Sequence, residues 1–433
     1  MDPGSSSAPR QPTAKRKQRK HTTVGALGHD VLCMIFSLLD LVHLIRCSAV
    51  CKSWSIAIRK LKLLQIQYQK QHQIDAATFS NASAYSERLL NIHLEQLAME
   101  QHKFSLQEGP ADIFQWKGHL TRVNLCRMKM GMILTGVGDK VMRLWSAESC
   151  KCLDEYFLPD KAPLIDFDFD EGKVVGLVGT RICIWKRIGI RDIFSSRDGL
   201  FTKGLCMRYV DPQAVIGCED GKVRVFDMYS RKCSQIIKMH SGSVTCLSFS
   251  DDQLIVSGSS LGSLTMSDLS SDQRVATLSA ASSAGIKTLC LNPSSHLLFA
   301  GSTDGFASCW DLRTLRAVWK TRISPNVLYS MGHLRNDKST LVVGGIDGIV
   351  RILDQENGLV LSGCIMDESS NVRNRSTEKY GAIQKNEVKR LSEDAHIDLM
   401  PHRPPIKCLG VGMQKIVTTH NDKYIRLWKF HKT

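Results

Sequence analysis

From Trp116 onward, short apolar runs alternate with polar turns in a pattern that comes round seven times. Each round reads as an apolar strand, a second strand, a polar turn often built on Asp, and a third strand ending in a bulky apolar residue. The clearest round passes through Gly118-His119, Val123 to Met128, Ile133 to Thr135, Gly138-Asp139-Lys140 and Val141 to Trp145. Its third strand returns as Ile182 to Trp185, Val223 to Asp227, Leu264 to Asp268, Ala307 to Asp311, Val350 to Asp354 and Ile425 to Trp428. Copies up to Leu353 lie about forty to forty-three residues apart, the spacing of one repeated supersecondary unit.

The last round stops at Trp428, with no fourth strand after it. The apolar, extended stretch from about Asp112 to Trp116 is placed to supply that strand and close a ring on itself, removing an unpaired edge. One interval is long: about thirty extra residues fall between Leu353 and Trp428, in Asp367 to Met400. They are polar and charged, and predict a mobile loop between the sixth and seventh units.

Before the repeats the period is helical. Val31, Leu32, Ile35, Phe36, Leu38 and Leu39 form one apolar group; Leu41, Leu44, Ile45, Ala49 and Val50 form a second, which Trp54, Ile58 and Leu61 continue. Asp40 breaks the first helix from the next. Three short helices can barely build a core, so their apolar surplus implies a partner. Residues 63–110 read as a helical connector interrupted near Asn81-Ala-Ser-Ala. Residues 1–23 are too polar to order themselves. Within them Lys15-Arg16-Lys17-Gln18-Arg19-Lys20 reads equally as a nuclear-import address or as a solvated charge run.

Composition narrows the class. The chain has 433 residues and a net charge of +15, with six basic side chains and no acid between Arg10 and Lys20. Attraction to an acidic partner, or loose nucleic-acid association through the tail, follows from that placement. No apolar run approaches the about twenty residues that span a bilayer. Met1 to Lys20 lacks the apolar core of a secretory signal, so the nucleus, the cytoplasm or both are expected. Most of the fifteen cysteines, among them Cys126, Cys183, Cys206, Cys246, Cys290, Cys309 and Cys408, fall inside predicted elements, where a free thiol is a small hydrophobe. Cys150-Lys-Cys152 lacks zinc-site spacing. No metal, cofactor, Gly-rich phosphate loop or activated nucleophile is expected, and no enzymatic activity.

The N-terminal helical unit resembles an F-box. The match rests on Leu27, Asp30, Val31, Leu32, Ile35, Phe36, Leu38, Leu39, Leu44, Ala49, Val50-Cys51-Lys52 and Trp54. Where the family has Leu-Pro, this chain has Leu27-Gly28, which removes a fixed φ at the start of the first helix. The resemblance implies docking to a Skp-type adaptor and through it a cullin ligase core, with Leu27, Leu32, Ile35, Phe36, Leu44, Val50 and Trp54 as candidate contacts. Part of that set must pack internally. The plain alternative is a helical cap for the repeats.

The repeats resemble the WD-repeat family over about three-quarters of the chain. The implied fold is an all-β seven-bladed propeller over residues 111–433, with the inserted loop at about 367–400, preceded by an all-α F-box unit over 24–62. His119, Thr135, Asp139 and Trp145 match the family's buried hydrogen-bond tetrad and read as structural. Other blades are degenerate: His240 has Gly262-Ser263 at its turn and Ser267 in the Trp position, and Asp347 has Leu353. Apolar packing is expected to hold those blades.

In WD-repeat proteins the start of each inner strand points to the channel rim. Those positions here read Asn124, Ile165, Lys203, Thr245, Lys287, Leu328 and Lys407, with Arg122 just before the first. Arg122, Lys203, Lys287 and Lys407 are thus candidate contacts for an acidic or phosphorylated protein substrate. The inserted loop is expected on the same face. Together the two resemblances imply a non-catalytic substrate-recognition subunit of a Skp–cullin–F-box ubiquitin ligase. The alternatives are a propeller scaffold in a nuclear ribonucleoprotein or chromatin assembly, and an F-box protein acting outside a ligase.

Overall fold

The structure is a computed structural model that describes residues 29–48, 52–60, 62–64, 66–67, 83–137, 140–159, 162–187, 193–195, 203–271, 273–279, 283–366, 383–391 and 403–431. The chain divides into two compact units, Met1–Ala98 and Met99–Thr433.

The first unit holds α1 (His29–Ser37), α2 (Leu41–Ser48) and α3 (Lys52–Lys60), and most of α4 (Ser83–Gln107) lies in it. Asp40 separates α1 from α2 by capping the latter: its carboxylate accepts the His43 amide at 2.8 Å, satisfying one otherwise unpaired donor of the first turn. Phe36, Leu44, Ala57, Ile58 and Leu63 form a small core, with Leu32, Leu39 and Trp54 packed against it. The Phe36 and Trp54 rings meet edge to face at 5.3 Å. α4 begins at Ser83, so the expected interruption at Asn81-Ala-Ser-Ala does not extend through Ser83 and Ala84; Asn81 and Ala82 lie outside the described residues.

In the second unit the strand ladders form seven antiparallel blades, five of them separate four-stranded sheets. The first blade runs Val123–Lys129, Met132–Val137, Val141–Ser146 and Cys152–Phe157. The middle strands of each blade are buried on both faces between neighbouring blades, outer strands such as Lys232–Lys238 alternate between half-buried and exposed, and Trp145, Trp185, Trp310 and Trp428 close their third strands in the interior.

The seventh blade is closed from its N-terminal side. The strand expected over Asp112 to Trp116 is Ala111–Lys117, paired with Tyr424–Phe430 from Ala111↔Phe430 to Lys117↔Tyr424. Ile113 and Trp116 bury against it. Locking the propeller's first and last strands into one blade is what holds the ring shut.

The inserted segment departs from expectation. Part of the stretch read as a mobile loop is a strand, Gln384–Leu391, and it lies at the perimeter of the ring. It pairs with the outer strand of blade six (Gly363↔Leu391 to Met366↔Val388) and with the outer strand of blade seven (Asp112↔Glu387 to Gln115↔Gln384). The two blades thereby become one continuous sheet. The physical reason is edge satisfaction: two neighbouring outer strands offer unpaired amides, and a shared strand fills both. Residues 367–382 and 392–402 lie outside the described residues.

Candidate functional site

Two surfaces could engage partners, and each sits on its own unit. On the first, α1 is apolar on two sides. Leu32, Phe36 and Leu39 point into the small core. Val31, Met34, Ile35 and Leu38 are exposed, Met34 by 69% and Leu38 by 86%. Their spacing of three, four and seven residues places them on one side of the helix and its following turn.

Of the candidate adaptor contacts, Ile35 lies on this exposed stripe, while Leu32 and Trp54 are half-buried. Phe36 and Leu44 are 1% and 0% exposed. That pair therefore belongs to the unit's own core and offers nothing to a partner. Leu27 and Val50 lie outside the described residues. Met34 and Leu38, exposed on the same stripe, were not among the candidate contacts, although their helical spacing from Val31 was a usable signal.

The second surface is the channel rim. In each of the first six inner strands the ladder skips the second residue: Asn124, Ile165, Leu205, Thr245, Lys287 and Tyr329. Such a bulge leaves one residue out of the pairing and re-aims its side chain. Lys407 holds the seventh such place, its amide reaching Thr419 O at 2.8 Å just before the Cys408↔Thr419 pair.

The expected ring of equivalent positions is corrected at two points. Lys203 precedes the strand Gly204–Val210 and matches Arg122, so Leu205 takes its place; Tyr329 replaces Leu328, which is fully buried. The first paired residue of blade three is a glycine, which gives no apolar signal, and this hid the register. Arg122 and Lys203 thus share one height, and Lys287 and Lys407 another. Arg122, Lys203 and Lys287 are exposed, and among the described residues they form no ion pair. Lys407 is half-buried, its Nζ 3.4 Å from the centre of the Tyr329 ring.

Deeper in the channel the cations are matched. Arg127 meets Asp166 at 2.8 Å and Lys129 meets Asp168 at 2.6 Å. The Met207 and Tyr209 amides donate to the same two carboxylates. Burial pushes the Asp168 carboxyl up, but Lys129 and Arg127 outweigh it and hold it below its ordinary range. Arg127 and Lys129 thus carry their own counter-charges, whereas Arg122, Lys203 and Lys287 at the rim have none among the described residues.

Of the tetrad, His119, Thr135 and Trp145 are buried. His119 Nε2 lies 2.9 Å from Thr135 Oγ1, and Trp145 Nε1 donates to that oxygen at 2.8 Å. Asp139 lies outside the described residues. Blade seven carries a variant that the repeat pattern did not show. Trp428 Nε1 donates to Thr418 Oγ1 at 2.9 Å, and His420 Nε2 sits 2.8 Å from the same oxygen. This histidine comes from the blade's own second turn instead of the preceding loop. In blade four His240 bonds Ser257 Oγ at 2.8 Å and Ser263 Oγ at 2.9 Å, so Ser263 substitutes for the turn acid. Hydrogen bonds, and not apolar packing alone, hold that degenerate blade. In blade six Arg351 pairs with Asp347 at 2.6 Å, with Leu353 buried beside them. Asp220–Arg224 and Asp422–Arg426 repeat that pairing at the same spacing.

The end of α4 seats on the face opposite the rim. The Gln414 amide, in the turn between the first two strands of blade seven, donates to His102 Nδ1 at 3.0 Å. Its side chain donates to Ser105 Oγ at 2.9 Å.

Among the described residues no group of His, Cys, Asp and Glu has metal-site geometry, and no helix is long and apolar enough to cross a membrane. Comparison with known proteins adds the family context. The family model for the F-box domain matches residues 26–66, and that for the WD domain, G-beta repeat, matches residues 231–266 and 272–311. Each WD match spans one blade's outer strand and three strands of the next, so sequence repeat and blade are offset by one strand. The chain is 49% identical to the F-box/WD-40 repeat-containing protein At3g52030 of Arabidopsis thaliana, over 97% of each chain. It is 30% identical to the angio-associated migratory cell protein of Homo sapiens over 34% of this chain and 32% of that one. It is 24% identical to mitochondrial division protein 1 of Sclerotinia sclerotiorum, over 42% of this chain and 23% of that one.

Proposed function

Since this chain belongs to the F-box/WD-40 repeat-containing proteins, we propose that it is the substrate-recognition subunit of a Skp–cullin–F-box ubiquitin ligase. F-box domains generally bind Skp-type adaptors, WD-repeat propellers generally bind proteins, and such proteins are generally non-catalytic. The observation that carries the reading is the exposed stripe Val31, Met34, Ile35 and Leu38 on a helix whose other side is already packed. A helix that keeps a second apolar side in water is stabilised by laying it into a partner's groove.

The propeller then holds the cargo. Arg122, Lys203, Lys287 and Lys407 around the channel rim fit an acidic or phosphorylated peptide, because fixed charge at a concave mouth focuses potential and orients carboxylate or phosphate groups. The chain makes and breaks no bond of the substrate. It raises the effective concentration of substrate lysines near the recruited conjugating enzyme. It works in the nucleus, the cytoplasm or both.

Affinity purification of the full chain beside a form lacking residues 24–62, read by mass spectrometry, tests the assignment. Adaptor and cullin are expected with the full chain only. Their absence from both preparations would overturn it.

A further inference from the structure

The perimeter strand Gln384–Leu391 carries a residue that the reading above does not use. Arg390 stands on this strand opposite Cys364, and the strand is paired on both sides. Its guanidinium gathers carbonyls from the end of α4 and the turn that follows it. Nη1 donates to Leu106 O at 2.8 Å and Gln107 O at 2.5 Å, and Nη2 donates to Gly109 O at 2.6 Å and Ser105 O at 3.2 Å. Nη1 also reaches Ser362 Oγ on blade six, and the Phe430 ring of blade seven lies 5.9 Å from the guanidinium carbon.

A helix ends with carbonyls that have no partner within it and with the negative pole of its dipole, and both favour a cation there. The last turn of α4 contains no basic residue of its own. The cation comes instead from far along the chain. A planar, permanently charged fork can bond several carbonyls in one fixed geometry, which an ammonium cannot. Gln414 holds His102 and Ser105 from blade seven, and Lys103 lies 3.9 Å from Asp354 of blade six. The helix end is thus tied to two blades and to the strand that joins them.

We infer that Arg390 is a positioning residue: together with the perimeter strand it fixes the Met99–Gln107 end of α4 on the propeller. The strand Gln384–Leu391 then serves as a mount for the end of the connector. In its functional sense this rests on the ligase reading, in which the seat of the connector's end bears on which propeller lysines receive ubiquitin. As a statement about the helix end, it stands without that reading.

The test uses the full-length chain with Arg390→Ala and Arg390→Lys. Amide exchange across Met99–Gln107 is expected to quicken about tenfold or more in Arg390→Ala, the scale of losing charge-assisted hydrogen bonds. Arg390→Lys should recover only part of the protection, and exchange in Val141–Ser146 should stay unchanged. In a reconstituted reaction with adaptor, cullin core, conjugating enzyme and ubiquitin, the propeller lysines modified on the chain itself are expected to redistribute at unchanged adaptor capture. Unaltered exchange at Met99–Gln107 overturns the inference. Altered exchange with an unchanged lysine pattern overturns positioning and leaves a structural contact. If the wild-type chain supports no transfer, the ligase reading fails and exchange alone decides whether Arg390 fixes the helix end. Should Arg390→Ala prove insoluble, Arg390→Lys is judged by the same two measurements.

Discussion

The Lys407 ammonium lies 3.4 Å from the centre of the Tyr329 ring, tying the residue just before the seventh inner strand to the second residue of the sixth. A cation over an aromatic face gains about 0.5–1 kcal/mol when exposed and more as water is excluded. Lys407 is therefore partly committed before any ligand arrives, whereas Lys203 and Lys287 are exposed and have no ion-pair partner among the described residues.

Reversing Lys203 and Lys287 to Glu should abolish capture of an acidic partner while the melting temperature stays within a degree or two. Lys407→Met alone should weaken capture less, and Tyr329→Ala should make Lys407 the more important of the two. Full binding by the double reversal, measured by pull-down across a salt series, would exclude the rim as the site.

On the helical unit, the inner and outer sides of α1 should separate by phenotype. Met34→Asp with Leu38→Asp is expected to lose adaptor binding with the unit's helicity intact, because both side chains are in water already. Phe36→Ala or Leu44→Ala should instead cost about 2–5 kcal/mol of folding stability, the usual penalty for emptying a buried apolar site. Circular dichroism beside adaptor titration distinguishes the two. Equal loss of structure in both sets would mean that the stripe is not a free surface.

Acid should loosen the propeller between about pH 6.5 and 4. Burial lowers His102 and His240 from their ordinary 6.5 to about 4, and burial followed by the Arg426 charge lowers His420 to about 3. Asp337 opposes the shift at His102 without reversing it. Between the folded and unfolded values the unfolded chain binds more protons, so stability is fully present above about pH 6.5 and drains away as pH falls. Melting temperature across pH 7.5 to 4.5 should decline, with a shallower decline in His420→Gln. Identical profiles for the two proteins would show that His420 is not a proton-linked site.

The closing strand should govern the whole ring. Ile113→Ala empties a fully buried position between Trp428 and Phe430 and is expected to lower the urea midpoint of the entire propeller in one transition. Removing Asp112–Trp116 should abolish that transition. A separate early transition confined to blade seven would argue against closure as the source of cooperativity.

Glycine at the tight turns should resist substitution for two reasons at once. Gly305 has φ of +87°, and a Cβ there would sit 2.2 Å from the Ser324 carbonyl of the next blade's loop. Gly305→Ala is expected to destabilise by more than about 1 kcal/mol, since left-handed backbone and a steric clash add. Chemical denaturation beside Gly131→Ala, which has a positive φ but open space around it, separates the contributions.

The pattern of apolar positions determined the strands, their grouping into seven blades and the closing strand, because each strand must bury its apolar side chains and each blade must find a fourth partner. It also placed three helices before the repeats and located the break at Asp40, whose short acceptor side chain favours a cap over a helix interior. Other features required the tertiary structure. Phe36 and Ile35 are neighbours of equal hydrophobicity, and only packing against Leu44 and Ile58 decided that the first is core and the second surface. The shift from Lys203 to Leu205 came from where the ladder begins, at a glycine whose lack of side chain leaves no mark on hydropathy. The perimeter strand, the Arg390 clamp and the borrowed histidine at His420 all arise from partners far apart in sequence or from an unexpected turn. Local periodicity reports which residues must leave water, whereas pairing across long separations depends on which unsatisfied edges, carbonyls and hydroxyls the closed ring brings within reach.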